Sequence, residues 1–337
     1  MKTRTLGRNG PEVSAIGFGA MVLSPGIYSP VNDEASIETL HQLLDLGINF
    51  IDTADIYGNG HNERLVGRAI RDRRDRVVLA TKFGANVHED GSHVRGLGRR
   101  DAVRKSIDAS LQRLGLDFVD LYYLHRVDPA TSIEETVGAM ADLVREGKVR
   151  YVGLSEVSAA LLRRAQAVHP ITAVQSEYSL FSREPEAELL STCRELGVGF
   201  VAYSPLGRGL LTGHIRRPED LKPDDWRRGV PRFQGDNLKR NLQVVDALEV
   251  IAKRKGVTLS QLALAWLLHQ GDDLVPIPGS RHAKNMEQNA RAADVALDAK
   301  ELEEINRVAR GVAGERGNEM YMETIRSGHQ QPAQPNA

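Results

Sequence analysis

Four polar residues, spread over more than seventy positions, carry the groups needed to move a proton to a carbonyl oxygen: Asp52, Tyr57, Lys82 and His125. A lysine at the mouth of a folded core is costly to bury as an isolated cation, and Asp52 can supply the carboxylate that offsets it. A phenol ordinarily titrates at about pH 10, and a cation beside it favours the phenolate. Lys82 is therefore expected to lower the value for Tyr57 and make its hydroxyl a usable proton donor and acceptor near neutrality. His125 can hydrogen-bond the carbonyl oxygen, where negative charge grows during reduction. Plainer roles are open to each residue alone. Asp52 could cap a helix, Lys82 could be a surface lysine, Tyr57 could be packing and His125 could be a hydrogen-bonded core residue; convergence of all four favours chemistry. A metal centre has less support, since His125 has no partner at ligand spacing.

Bringing these residues together requires elements that end side by side. β-rich runs occur at residues 15–19, 49–52, 77–81, 118–124, 149–154, 173–176, 199–203 and 274–277. Helical stripes lie between them: Ile37, Leu40 and Leu44; Val103, Ile107, Leu111 and Leu114; Val137, Met140 and Val144. Ser132 and Glu135 have capping-box spacing before the third stripe, and Gly147 can take the left-handed turn after it. Residues 2–5 and 12–14 around Asn9-Gly10-Pro11 have the pattern of a hairpin. About eight strand–helix units in sequence are the content of one closed barrel. The expected fold class is α/β: a (β/α)8 TIM barrel with an N-terminal β-hairpin and long cofactor and substrate loops. A doubly wound sheet is the rival, but Gly17-Phe18-Gly19 is followed by Ala20-Met21-Val22 without a third glycine. Residues 1–310 are expected to form a single barrel domain and 311–337 a C-terminal tail, reading as disordered after about Ser327. A barrel carries its site at the C-terminal strand ends, where Asp52, Lys82 and His125 fall and where Tyr57 follows in the next loop. On that ground the pocket walls are expected to include Met21, Tyr28, Phe83 and the loops around Ser92 and Phe233.

Composition narrows the partners. The 337 residues are 41% apolar and 26% charged, with a formal net charge of −1. So little net charge gives no field to gather nucleic acid, and no stretch has the uninterrupted apolar length of a membrane span. A single cysteine, Cys193, cannot form an internal disulfide. Near the start, Lys2 and Arg4 lead to Gly7, Asn9, Gly10 and Pro11 with no apolar run, so the expected location is cytoplasmic. Composition does not set the oligomeric state.

The segment Gly47-Ile48-Asn49-Phe50-Ile51-Asp52-Thr53-Ala54-Asp55-Ile56-Tyr57-Gly58 resembles the first signature of the aldo-keto reductases. Thr81-Lys82, Asp120-Leu121-Tyr122-Tyr123-Leu124-His125 and Gly147-Lys148-Val149-Arg150 resemble segments that follow it in that family. The resemblance implies a catalytic tetrad, with Tyr57 as general acid, Lys82 and Asp52 assisting, His125 orienting the carbonyl, and a nicotinamide dinucleotide in place of any metal. It implies that Ser155 and Gln175 hold the nicotinamide carboxamide and that Tyr203 stacks beneath its ring. Ser204-Pro205-Leu206-Gly207-Arg208-Gly209-Leu210-Leu211-Thr212-Gly213 looks like the loop over the pyrophosphate, with Arg208 adding charge; a surface turn is the plainer possibility. Ile277-Pro278-Gly279-Ser280-Arg281, with Asn285, Gln288 and Asn289, looks like the adenosine end. A guanidinium and a hydroxyl there suit a 2′-phosphate, which favours NADPH over NADH. The implied activity is reduction of a small aldehyde or ketone substrate. A cofactor-binding sensor or channel-associated subunit with little turnover is the alternative, and a metal-dependent hydrolase on the same barrel a third. Two positions depart from the family pattern: Glu156 follows Ser155 where many relatives have asparagine, and Gly317-Asn318 follows Arg316 where relatives often have an aromatic residue.

Overall fold

The computed structural model describes residues 1–27, 31–86 and 94–329. Strands β1 (Thr3–Thr5) and β2 (Glu12–Ser14) pair antiparallel, with Thr3 opposite Ser14. Leu6 and Val13 of this hairpin pack against the inward side chains Phe50, Ala80, Leu121, Tyr123, Ala173, Val201 and Val275. The hairpin therefore plugs the bottom of the barrel.

Eight parallel strands form the wall: β3 (Phe18–Gly19), β4 (Phe50–Asp52), β5 (Val78–Phe83), β6 (Val119–Leu124), β7 (Val149–Ser155), β8 (Ala173–Glu177), β9 (Gly199–Tyr203) and β10 (Leu274–Pro276), each paired with the next in sequence. The first and last strands meet through Gly17 N to Pro276 O at 3.0 Å and Gly19 N to Pro278 O at 3.2 Å. The first strand is shorter than the run 15–19 predicts. Pro276 and Pro278 have no N–H to return, so only half of a ladder can form at the seam. The approach is close as well: a Cβ on Gly19 would lie 2.9 Å from the Ile277 carbonyl oxygen, which only glycine avoids.

Helices cover the outside. They are α1 (Asp33–Asp45), α2 (His61–Ile70), α3 (Arg100–Leu114), α4 (Ile133–Arg145), α5 (Ala159–Val168), α6 (Leu189–Leu196), α7 (Gly235–Lys255), α8 (Leu259–Leu268), α9 (Ala283–Ala290), α10 (Ala299–Ala309) and α11 (Glu319–His329). The stripes read from sequence face the strands: Leu40, Leu44, Val103, Ile107, Leu111, Leu114, Val137 and Met140 are all buried. The Ser132 hydroxyl accepts from Glu135 N at 3.2 Å at the start of α4, and Gly147 turns left-handed after it at φ +76°. Cys193 is buried in α6, and burial pushes its thiol up to about 12, so it is neither a nucleophile nor a ligand at neutral pH.

The long connection between β9 and α7 is not slack. Short helical turns at Gly207–Thr212, Pro218–Asp220, Trp226–Gly229 and Pro231–Phe233 punctuate it. Arg227 pins it by donating to the Arg208 carbonyl at 2.9 Å and to Asp225. Among the described residues no helix is long and apolar enough to cross a membrane.

Candidate active site

Side chains alternate along a strand, so one inward position fixes the next two residues away. Phe50, Ala80, Tyr123, Ala173 and Val201 point into the barrel. Counting two residues onward places Asp52, Lys82, His125, Gln175 and Tyr203 at the same mouth, and Ser155 stands in register with Gln175. The ladders run past the formal strand ends to hold them there: Asp55 N donates to Lys82 O at 3.1 Å, His125 N to Phe83 O at 2.7 Å and Glu156 N to Gln175 O at 3.0 Å.

Three of the four candidate groups are directly linked. The Lys82 ammonium donates to Asp52 Oδ1, to the Thr53 carbonyl at 2.9 Å and to the Tyr57 hydroxyl at 3.2 Å. The Tyr57 and His125 rings meet edge to face with centroids 6.0 Å apart. The loop carrying Tyr57 is fastened by Asn62, which accepts from Thr53 Oγ1 at 2.6 Å and donates to the Ala20 carbonyl at 2.9 Å. A left-handed run at Gly58, Asn59 and Gly60 turns the loop into α2. Gly60 sits at φ +79°, a conformation that L side chains rarely adopt, so the turn favours glycine.

Electrostatics correct one expectation. Burial raises the Asp52 carboxyl above its ordinary range against the pull of Lys82, and the Lys82 ammonium is held up by Asp52 and Tyr57 despite its own burial. Burial also outweighs Lys82 at Tyr57, so its phenol titrates above its ordinary value and not below. The cation beside Tyr57 limits this rise without reversing it. Such a phenol stays protonated at neutrality, which suits a proton donor. Asp55, on the same loop, is pushed up to about 7 by burial and then by neighbouring Glu63.

The sequence-predicted cofactor residues divide. Ser155 is buried at the mouth and Tyr203 is partly exposed there. Gln175 donates one amide hydrogen to Asp52 Oδ2 at 2.8 Å, which leaves its second N–H and its carbonyl for a carboxamide. Gly207 and Gly209 are left-handed, as are Ser204 and Arg208, and the N–H groups of Gly207, Gly209, Leu211 and Gly213 bond within the loop. Pro205 is buried within this loop and Leu206 packs on the core. The guanidinium of Arg208 turns inward to Glu177 at 2.9 Å and lies 4.8 Å from the Trp226 ring. Arg208 therefore shares the buried Glu177 carboxylate with Arg232, which lies 3.5 Å from it. At the other end, Ile277 is buried, Gly279 is exposed and Ser280 accepts from His282 N and Asn285 Nδ2, both at 3.1 Å. Arg281 has no ion pair among the described residues, and the side chains of Asn285 and Gln288 are exposed. Asn289 is buried against Met286, with Nδ2 3.6 Å from its sulfur, and does not reach this surface.

The expected walls need correction too. Phe83 is fully buried and stacks on Tyr122 at 4.8 Å, on the helix side of β5, because it is one residue out of phase with Lys82. Phe233 is likewise buried in the outer core. Met21 is partly exposed, while Tyr28 and Ser92 lie outside the described residues.

Residues beyond 310, expected as a tail, contribute to the mouth. Arg316 grips Glu156 with Nη2 to Oε2 at 2.7 Å and Nη1 to Oε1 at 2.9 Å. Helix α11 carries Tyr321, whose hydroxyl lies 2.6 Å from that of Tyr203. Tyr321 thus brings an aromatic ring to the mouth four residues after Gly317. Glu156 takes the left-handed region at φ +51° and also accepts from the Tyr203 hydroxyl at 2.8 Å. Burial pushes its carboxyl up, yet hydrogen bonds and charge from Arg316, with Arg126, bring it down to about 2. A carboxyl held this low contributes docking that is complete above the ordinary carboxylate range and is lost as pH falls towards about 2. Glu156→Gln should therefore speed amide exchange in residues 316–329 while the barrel strands stay protected; unchanged exchange there would show that Arg316 does not hold the segment.

Residues 15–310 match the Aldo/keto reductase family. A thermostable aldo-keto reductase solved with the inhibitor epalrestat is 32% identical, with a TM-score of 0.74, 91% of this chain covered and 100% of that one. The glycerol dehydrogenase of Gluconobacter oxydans is 30% identical, with a TM-score of 0.83 and coverage of 93% and 97%. With that match over most of its length and its eight-stranded barrel, the chain belongs to the aldo-keto reductase family: it is an oxidoreductase acting on carbonyl groups, in a family that uses nicotinamide cofactors.

Proposed function

We propose that the chain reduces aldehydes or ketones to alcohols with NADPH, and that Tyr57 is the proton donor. The observation that carries this is the Lys82 ammonium held between Asp52 and the Tyr57 hydroxyl, with the His125 ring beside them. The residues present fit the cofactor. Tyr203 offers a partly exposed ring whose hydroxyl is anchored at its back by Glu156, and left-handed residues at Ser204, Gly207, Arg208 and Gly209 shape the loop that follows it. Ser280 and the unpaired Arg281 offer a hydroxyl and a cation for a 2′-phosphate, which is the support for NADPH over NADH. Bound there, the dinucleotide would supply the hydride. Tyr57 would give its proton to the carbonyl oxygen, Lys82 would stabilise the phenolate left behind, and Asp52 would keep Lys82 charged and in place. His125 would hold the oxygen in line as it gains charge.

Purified protein should oxidise NADPH in the presence of an aldehyde panel, with a higher kcat/KM for NADPH than for NADH. Because burial keeps Tyr57 protonated, the reduction rate should stay level through neutrality and fall only in alkaline solution, whereas alcohol oxidation, which needs the phenolate, should rise with pH. Steady-state profiles in both directions check this; a reduction rate that falls below pH 7 as pH rises would contradict it. Tight NADPH binding without turnover on any aldehyde would favour a sensor or a subunit of a larger assembly instead.

A further inference from the structure

We infer that Arg126 makes the site selective for carbonyl compounds that also carry an anionic group, a carboxylate or phosphate, near the reacting carbon. The inference rests on the reduction proposed above and names its substrate class.

Arg126 follows His125 directly, and its guanidinium lies over the mouth. Nη1 donates to the His125 carbonyl at 2.7 Å and approaches Ser155 Oγ at 3.5 Å, while Nη2 reaches the Tyr321 hydroxyl at 3.4 Å. The Tyr321 ring centroid is 5.7 Å away. All of these partners are neutral, and among the described residues no carboxylate pairs with Arg126. The other cations near the mouth each have a carboxylate within ion-pair reach: Lys82 has Asp52, Arg316 has Glu156, and Arg208 and Arg232 share Glu177. Glu156, gripped by Arg316, attracts Arg126 through space but lies beyond ion-pair reach, so no carboxylate takes up the hydrogen bonds of the Arg126 fork. A bound anion would supply that direct partner.

Position decides which anion. The phosphate-facing groups proposed above lie after β9 and β10, whereas Arg126 adjoins His125 and Ser155 after β6 and β7. An anion at Arg126 therefore arrives with the substrate and not with the dinucleotide. Two of its three hydrogen bonds are long, so the planar fork can turn to a carboxylate or phosphate at little cost. The charge also stands one residue from the imidazole that would orient the carbonyl.

Paired substrates test this. kcat/KM is measured with NADPH for para-carboxybenzaldehyde against the neutral, similarly shaped para-carbamoylbenzaldehyde, and for a phosphorylated triose against the free triose. The chain, Arg126→Gln and Arg126→Lys are compared, and a thermal melt confirms that each variant is folded. The native chain should favour the charged member of at least one pair by about tenfold or more, the range of one charge-assisted hydrogen bond. The ratio should collapse towards one in Arg126→Gln and recover in part in Arg126→Lys. Which pair shows the preference separates carboxylate from phosphate. Calorimetric binding of para-carboxybenzyl alcohol and its carboxamide, with NADP+ present, should show the same loss. Equal ratios in the native chain, a preference that survives Arg126→Gln, or a variant that loses NADPH affinity in place of discrimination would overturn the inference. Absence of turnover with every aldehyde would instead overturn the reduction proposal, and the binding comparison would still decide the role of Arg126.

Discussion

Tyr57→Phe is expected to lower kcat for carbonyl reduction by roughly 10²–10⁴-fold, the usual contribution of a positioned acid, while NADPH affinity changes little. The substitution removes one oxygen and leaves the ring that meets His125 edge to face. Lys82 keeps its bonds to Asp52 and to the Thr53 carbonyl, so the surroundings have no cause to rearrange. The loss should therefore fall on the chemical step. Single-turnover rates alongside fluorescence titration of NADPH check it. Full activity in Tyr57→Phe would remove Tyr57 from the proton-donor role.

Lys82→Met should be damaging in two separable ways. Asp52 is 2% exposed and would keep only the Gln175 amide, so removing its cation strands a buried carboxylate. Breaking a buried pair from one side typically costs about 3–5 kcal/mol, here reduced to the extent that Asp52 takes up a proton, a state its burial already favours. Turnover should collapse as well, because nothing would then stabilise the phenolate. Adding Asp52→Asn to Lys82→Met removes the stranded charge and should return much of the stability without the activity. Urea unfolding of the single and double variants measures the first effect; a Lys82→Met protein as stable as the native chain would show that the pair does not bear on folding.

Much of the barrel was legible because alternation along a strand and the helical repeat are local patterns. The inward step of two residues that carries Phe50 to Asp52, Ala80 to Lys82 and Tyr123 to His125 can be counted from the chain. Phe83 was misplaced by taking a strand end without its phase. The contacts of Arg208 and Asn289 were illegible for a different reason: whether a polar side chain turns out or in depends on a partner such as Glu177 or Met286, and residue type does not specify it. The Arg316 grip on Glu156 joins positions 160 residues apart and leaves no periodic trace. Its one local signal was Glu156 itself, standing where many relatives carry asparagine. The direction of the Tyr57 shift was illegible because it is set by a competition between burial and Lys82, and only the packed structure fixes how dry the site is. The one local signal of Arg126 is its place in the chain, a cation directly after a histidine at a strand end.

A crystal structure with NADPH and a carbonyl analogue tests the central claim most directly. The account predicts the analogue's oxygen within about 3 Å of both the Tyr57 hydroxyl and the His125 ring, the reach of a hydrogen bond, with the nicotinamide against Tyr203. A dinucleotide bound away from Tyr203, or an oxygen lodged beyond reach of Tyr57, would contradict it.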